Sequence, residues 1–270
     1  MPAGARERCG MDIQNSAADA AAPTLILTPR HSGDSQLLWK GALALGWRVE
    51  RLQTWRIPAH LSGVADPVLY VEALFGPTLA DELGVRLLEP ADDWLVRLPA
   101  EYRLRDIRLT TLGEARSSTA AAFVKPPGDK SFPARVYTGP ELPDHLPGDM
   151  AVLVSEVVEW ESEFRCFILN RELRTFSIYA RHGELQEEND FACTDAEAAG
   201  LTAFVARLLA DARVDLPPAV VVDVGVVAER GWACVELNGA WGAGIYGCDP
   251  AEALRVIRHA TILGDGAAGV

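Results

Sequence analysis

Val220–Gly244 reads VVVDVGVVAERGWACVELNGAWGAG. Two apolar runs flank a short polar turn, the pattern of a buried strand hairpin. A turn over Ala228–Gly231, centred on Glu229–Arg230, sets Asp223 directly opposite Glu236. Side chains alternate along a strand, so Asn238 shares a face with Glu236. Two carboxylates facing each other among apolar neighbours repel and are costly to desolvate. A hard cation removes both costs, and Asp, Glu and Asn oxygens are what Mg2+ or Mn2+ takes. The hairpin therefore reads as a divalent-metal site of Asp223, Glu236 and Asn238. The competing reading, carboxylates turned to solvent on an exposed face, fits the apolar flanks poorly. The glycine-rich GAWGAGIYG that follows (Gly239–Gly247) is either a lining for an acceptor pocket or a plain return to the last helix.

Upstream, strands dominate from Ala151: AVLVSEVV, then EFRCFILN, a turn at Asn170–Arg171, and ELRTFSIYAR. Asp195–Ala212 follows as an amphipathic helix, with Leu201, Phe204, Val205, Leu208 and Leu209 on one face. Pro250–Leu263 reads as a final helix. Before this region, TLILT (Thr24–Thr28) is an apolar strand leading through PRHSG into a helix capped by Asp34 or Ser35. Trp47–Leu52 is the next strand, and this β-loop-α-β opening marks an α/β domain with a parallel sheet. Asp66–Phe75 and Pro77–Leu83 add a strand and a helix, and Arg103–Ala115 a further helix. Ala122–Lys125 and Arg135–Tyr137 are short strands. The fold class is thus α/β and α+β: a parallel-sheet domain, then a module of antiparallel sheets. The divisions fall at 1–22 (a disordered tail), 23–115, 116–154 and 155–265.

Composition narrows the class. The chain has 270 residues, 49% of them hydrophobic, enough for one large domain or two modest ones. Its net charge of −13 disfavours a general nucleic-acid surface, which needs a basic stripe. No apolar run approaches the roughly 18–20 residues that span a bilayer, and no signal peptide is read, so the expectation is a cytoplasmic protein away from membranes. Five scattered cysteines without a C-x-x-C fit a reduced compartment. Among 25 basic residues only Lys40, Lys125 and Lys130 are lysines. Two of the three lie within six residues of each other, which marks a place where a compact ammonium is wanted or is chance.

Lys125 ends a strand and precedes PPGDKSFPAR. With Gly128, Lys130 and Ser131 this loop suits a polyphosphate, although it is no Walker A motif; an ordinary surface turn with two solvated lysines is the competing reading. Glu156 and Glu163 bracket a hinge whose Val157, Val158 and Glu159 backbone can pair with an adenine edge, while Glu163 accepts from ribose. Arg165 lies two residues on, on the same strand face, pointing where a phosphate could lie, and Arg181 ends the next strand; the competing reading of each is a surface ion-pair partner. The five histidines lack ligand spacing and read as structural.

These segments follow one another in an order that resembles the ATP-grasp superfamily over Phe123–Asp249. E-x-N resembles its Mg2+ hairpin, and E-x6-E-F the nucleotide hinge of the D-alanine–D-alanine ligase branch. E-F-R-C-F is similar to the D-I-R-C-F segment of the ribosomal-protein glutamate ligase branch. The arginine-plus-two-lysine clade of small ATP-grasp proteins is the resemblance that fits best. It implies that Lys125 and Lys130 meet ATP phosphates, that Glu156 and Val157–Glu159 hold adenine, and that Asp223, Glu236 and Asn238 bind Mg2+. Arg165 would stabilise charge on the transferring group. Where many members carry an earlier lysine, this chain offers Arg105 or Arg103. The place two residues before the metal Asp, an arginine in the D-alanine ligase branch, is Val221. The implied activity is a ligase joining a small-molecule or peptide carboxylate to an amine through an acyl phosphate, in a homodimer. A phosphotransferase on the same nucleotide site, or a nucleotide-binding regulatory protein, are the other readings.

Overall fold

The computed structural model describes residues 22–128 and 130–263, so the N-terminal tail expected to be disordered lies outside the described residues. The chain opens with β1 (Thr24–Leu27), α1 (Gly33–Ala44), β2 (Arg48–Arg51), β3 (Pro67–Tyr70), α2 (Gly76–Leu83) and β4 (Val85–Leu87). β1 pairs with β2 on one side and β3 on the other, parallel in both cases, in the order β2-β1-β3. Burial of all four β1 residues agrees with a central parallel strand. Ser32 and Ser35 cap α1 reciprocally, each side chain taking the other's backbone N–H, so the cap precedes the Asp34 or Ser35 expected from sequence.

Two short helices, α3 (Trp94–Arg97) and α4 (Ala100–Arg103), lead into β5 (Ile107–Thr111), α5 (Leu112–Arg116), β6 (Ala122–Lys125), β7 (Arg135–Tyr137) and β8 (Ala151–Ser155). Their strands form an antiparallel sheet in the order β5-β8-β6-β7. The helix expected over Arg103–Ala115 is therefore broken into helix, strand and helix. Ile107 and the β-branched Thr110 and Thr111 pair along β8, and Thr111 then caps α5 through the Glu114 N–H.

The larger antiparallel sheet holds β9 (Trp160–Leu169), β10 (Glu172–Arg181), β11 (Glu184–Leu185), β12 (Ala219–Val227) and β13 (Gly231–Asn238), in the order β11-β10-β9-β12-β13. Helix α6 (Asp195–Ala210) covers one face, and the five apolar residues read from its periodicity are all buried. Alternation divides the sheet cleanly. Phe164, Cys166, Ile168, Val220, Val222 and Val224 face α6, whereas Phe167 and Val221 face the parallel domain. The last helix, α7 (Pro250–Ile257), is shorter than expected: β14 (Thr261–Leu263) follows and pairs antiparallel with β4. The helical apolar face ends at Ile257, and Thr261 and Ile262 are β-branched. Parallel sheet first and antiparallel sheets after give the mixed α/β class expected from sequence. No helix among the described residues is long and apolar enough to cross a membrane.

Candidate active site

Asp223 on β12 pairs directly with Glu236 on β13. The sequence reaches this pairing through a turn centred on Glu229–Arg230, but the hairpin closes differently. Val227 pairs with Gly231 around a three-residue loop, and Val224 with Cys234. Continued without interruption, that register would set Asp223 opposite Val235 and turn Glu236 and Asn238 into the apolar face beneath α6. A β-bulge at Val235 shifts the register by one and returns both residues to the face of Asp223.

Arg105 holds this bulge. Its guanidinium donates to the carbonyls of Cys234 (2.7 Å) and Val235 (3.0 Å). It lies 5.0 Å above the Trp160 ring, and burial lowers its pKa to about 10. Trp160 rests in turn on Gly225, where a Cβ would stand 2.8 Å from the ring and 2.5 Å from the Ser162 carbonyl. Leu104, in the left-handed region at φ 48°, ends α4 and turns the chain toward this stack. The resemblance offers Arg105, or Arg103, in place of an earlier lysine; its grip on the Asp223–Glu236 hairpin leaves no signal in the sequence.

Two ion pairs neutralise the facing carboxylates. Arg165 meets Asp223 in a bidentate bond, Nε to Oδ1 at 2.9 Å and Nη2 to Oδ2 at 2.6 Å, and donates from Nη1 to the Gly244 carbonyl at 3.0 Å. Asp223 is fully buried and Arg165 only 7% exposed. Lys125 reaches from β6 across to Glu236 Oε2. Asn238 Nδ2 bridges the two acids, 3.2 Å from Asp223 Oδ2 and 3.0 Å from Glu236 Oε1. Burial pushes the Asp223 carboxyl up to about 6 against the pull of Arg165. Desolvation also raises Glu236, but Lys125, Asn238 and Arg165 together outweigh it and hold Glu236 at about 2.

Three oxygen-bearing side chains on one face form a donor set that suits a hard dication. Among the described residues, no group of three or more His, Cys, Asp and Glu surrounds a common point. The two carboxylates are instead balanced by Arg165 and Lys125. Asp223, Glu236 and Asn238 are the residues that would hold such a dication, through their side-chain oxygens.

Glu163 shares the Arg165 face of β9 and accepts from the Tyr179 hydroxyl at 2.9 Å; burial raises its pKa. Residues 156–159 form the hinge between β8 and β9, with the Val157 side chain half exposed. The Glu156 carboxylate is taken by Arg230 and the Asp106 N–H. Arg181 is drawn away too, since its guanidinium grips Glu197 at the start of α6. Lys130 and Ser131 lie in the β6–β7 loop, which Phe132 anchors by burying its ring against Tyr137. A shallow cavity of about 320 Å3 touches Arg108, Ala122 and Val154. Asp106, Ile107, Ser155 and the hinge residue Glu156 line it as well, so it sits at the hinge end of the small sheet.

The chain belongs to the ATP-grasp domains of the arginine-plus-two-lysine clade, family 2, whose model matches residues 102–256. The match takes in the small sheet, the hinge, the ion-pair cluster and the glycine-rich loop. No curated protein matches the chain. Among solved structures, it is similar to a RimK-domain ATP-grasp protein from Sphaerobacter thermophilus DSM 20745, at 18% identity and a TM-score of 0.54, covering 88% of this chain and 97% of that one. D-cycloserine synthetase DcsG gives 14% and 0.54, covering 88% and 99%. D-alanine–D-alanine ligase from Bacillus anthracis gives 12% and 0.52, covering 89% and 97%. At these identities the likeness is one of fold.

Proposed function

We propose that the protein is an ATP- and Mg2+-dependent ligase that joins a carboxylate to an amine through an acyl phosphate. The observation that carries this reading is the bulged hairpin. It uses a register shift, a buried arginine and a lysine from another sheet to hold two carboxylates and an amide on one face. A binding surface without chemistry has no use for so costly an arrangement. Family membership supports the nucleotide, and the ligases among proteins of similar fold support the reaction class.

Asp223, Glu236 and Asn238 would hold the metal, which when bound neutralises phosphate charge and polarises the transferring group. Lys125, exchanged from Glu236, and Lys130 then pair with phosphate oxygens. Arg165 keeps Asp223 ionised and in place, and with three of its five donors used it retains others for the phosphoryl group. Glu163 accepts from ribose, and the backbone of Val157–Glu159 takes the adenine edge. A substrate carboxylate oxygen bonds to the γ-phosphorus as ADP leaves. The amine nitrogen then bonds to the acyl carbon, inorganic phosphate leaves, and the nitrogen gives up its proton. Positioning and charge neutralisation carry most of the catalysis.

The test is ADP release from ATP and Mg2+ with pooled amino acids, amines and carboxylates, on the parent and Glu236→Gln. Release that needs both a carboxylate and an amine, and that the variant lacks, is the expected result. Release equal in parent and variant, or a phosphorylated acceptor as the final product, overturns the reading.

A further inference from the structure

Tyr246, near the end of the glycine-rich loop, stands in the left-handed region at φ 48°, and Phe191, the ring packed beside it, at φ 53°. That backbone favours glycine and costs a bulky side chain energy. Glycine flanks the site at positions 244 and 247, yet position 246 carries a tyrosine. Strain of this kind persists only where the surroundings hold it, and it gathers at functional sites. Here the loop is tethered on each side of Tyr246. The Ile245 N–H donates to Asp34 Oδ2 at 3.1 Å, and the Gly247 N–H to Ser177 Oγ at 3.2 Å. A Cβ on Gly247 would stand 2.5 Å from Phe191 Cβ and 2.8 Å from Ser177 Oγ, so only glycine lets the loop lie this close to β10.

The tethers set the Tyr246 ring against a guanidinium. Its centroid lies 4.8 Å from Arg165 Cζ, within the range of a cation–π contact. It also stacks on Tyr179, with centroids 5.1 Å apart and planes 16° from parallel. Tyr179 is fixed in turn by its hydroxyl, which donates to Glu163 at 2.9 Å, and lies 5.6 Å from the same Cζ. Arg165 thus rests against two stacked rings. Its fork to Asp223 fixes two points of the guanidinium, and the Gly244 carbonyl, two residues before Tyr246, fixes a third. One N–H on Nη1 and one on Nη2 are left over. A group held along its edges can still rock about those bonds. An aromatic ring beside it limits that motion and uses none of its N–H groups.

We propose that Tyr246 is a positioning residue whose ring holds the Arg165 guanidinium, so that its two unused N–H groups keep one orientation for the reacting phosphoryl group. This rests on the ligase reading, in which Arg165 meets that group. The end of the glycine-rich loop then has divided duties. Gly244 gives Arg165 a carbonyl, Gly247 brings the chain against β10, and Tyr246 takes a strained backbone to put its ring beside the guanidinium.

The test follows the Arg165 Nε–H by nitrogen–proton correlation NMR, its signal assigned by its loss in Arg165→Lys. Exchange of that proton with solvent is compared in the parent, Tyr246→Phe and Tyr246→Gly, without nucleotide. Glycine accepts the left-handed backbone freely, so Tyr246→Gly removes the ring and relieves the strain together. Exchange roughly tenfold faster in Tyr246→Gly, with Tyr246→Phe matching the parent, is the expected result. An unchanged rate in Tyr246→Gly, or a raised rate in Tyr246→Phe, overturns the proposal. Urea unfolding checks that each variant folds; if Tyr246→Gly does not, Tyr246→Leu carries the same comparison. ADP release from ATP and Mg2+ separates the two claims. In Tyr246→Gly, kcat falls roughly tenfold with KM for ATP unchanged, and Tyr246→Phe restores it. Faster exchange in Tyr246→Gly, in a protein that neither binds nor turns over ATP, sinks the ligase reading and leaves Tyr246 as the support of Arg165. Turnover that Tyr246→Gly shares in full sinks the positioning role and leaves the ligase reading.

Discussion

Replacing Arg165 with methionine tests the ion-pair cluster at its deepest point. The change keeps most of the apolar stem and removes both bonds to Asp223, at 2.6 and 2.9 Å. It strands a carboxylate with no exposure to water. Removing one partner of a buried pair costs roughly 3–5 kcal/mol, a large share of the stability of an ordinary domain. The loss has a defined pH dependence. Asp223 is already raised from 3.8 to about 6 with Arg165 present. A carboxyl raised on folding contributes its stability fully below the unfolded value and loses it as pH rises through the folded value. Without Arg165 the folded value climbs further, so the deficit of Arg165→Met relative to the parent widens from about pH 6 upward, by up to roughly 1.4 kcal/mol per unit. Urea unfolding between pH 5 and 8 reads this directly. Arg165→Met/Asp223→Asn, with no stranded charge, recovers about 2 kcal/mol of the loss and flattens the pH profile. A single-variant cost under about 1 kcal/mol, or a deficit that does not change with pH, would refute the buried-pair argument.

Arg105→Met leaves the Cys234 and Val235 carbonyls without their donor; it costs about 2–3 kcal/mol in urea unfolding, and Arg105→Lys restores part of it. Gly225→Ala drives a methyl against the Ser162 carbonyl and the Trp160 ring; a loss of about 1–3 kcal/mol is expected in the same assay, and a neutral result would mean that the ring does not lie on the sheet. Glu197 is held at about 2, mainly by Arg181, against an ordinary 4.5. A carboxyl lowered on folding stabilises above its unfolded value and loses that contribution as pH falls through the folded one. Parent stability therefore drops between about pH 4.5 and 2, and Glu197→Gln removes up to about 3 kcal/mol of that slope; equal melting-temperature profiles would show the pair to be inert.

The hairpin is legible in sequence because its chemistry is local: alternation, β-branched runs and a short turn place Asp223 opposite Glu236. The geometry behind that result is not legible. A loop one residue longer than a tight turn and a bulge at Val235 offset each other, and neither leaves a mark in WACVELN beyond the phase change between Cys234 and Glu236. β5 escapes sequence reading because Arg103–Ala115 mixes a short helix, a strand and another helix, each too brief to show its own period. The ion pair that competes with a phosphate role for Arg181 is the one formed, with Glu197, and Glu156 finds Arg230; these partners stand 16 and 74 residues away and no local pattern names them. The contact of Asp34 with the Ile245 N–H has no sequence signal at all. It arises where the parallel sheet meets the glycine-rich loop, a contact between segments more than 170 residues apart.

The central claim is that the bulged hairpin is a metal–nucleotide site. Calorimetric titration of ATP, with Mg2+ and with EDTA, on the parent and on Glu236→Gln tests it most directly. Saturable binding that needs Mg2+ and weakens at least tenfold in Glu236→Gln, equivalent to about 1.4 kcal/mol, is the predicted result. Absence of binding in the parent, or binding indifferent to both Mg2+ and the substitution, would contradict it.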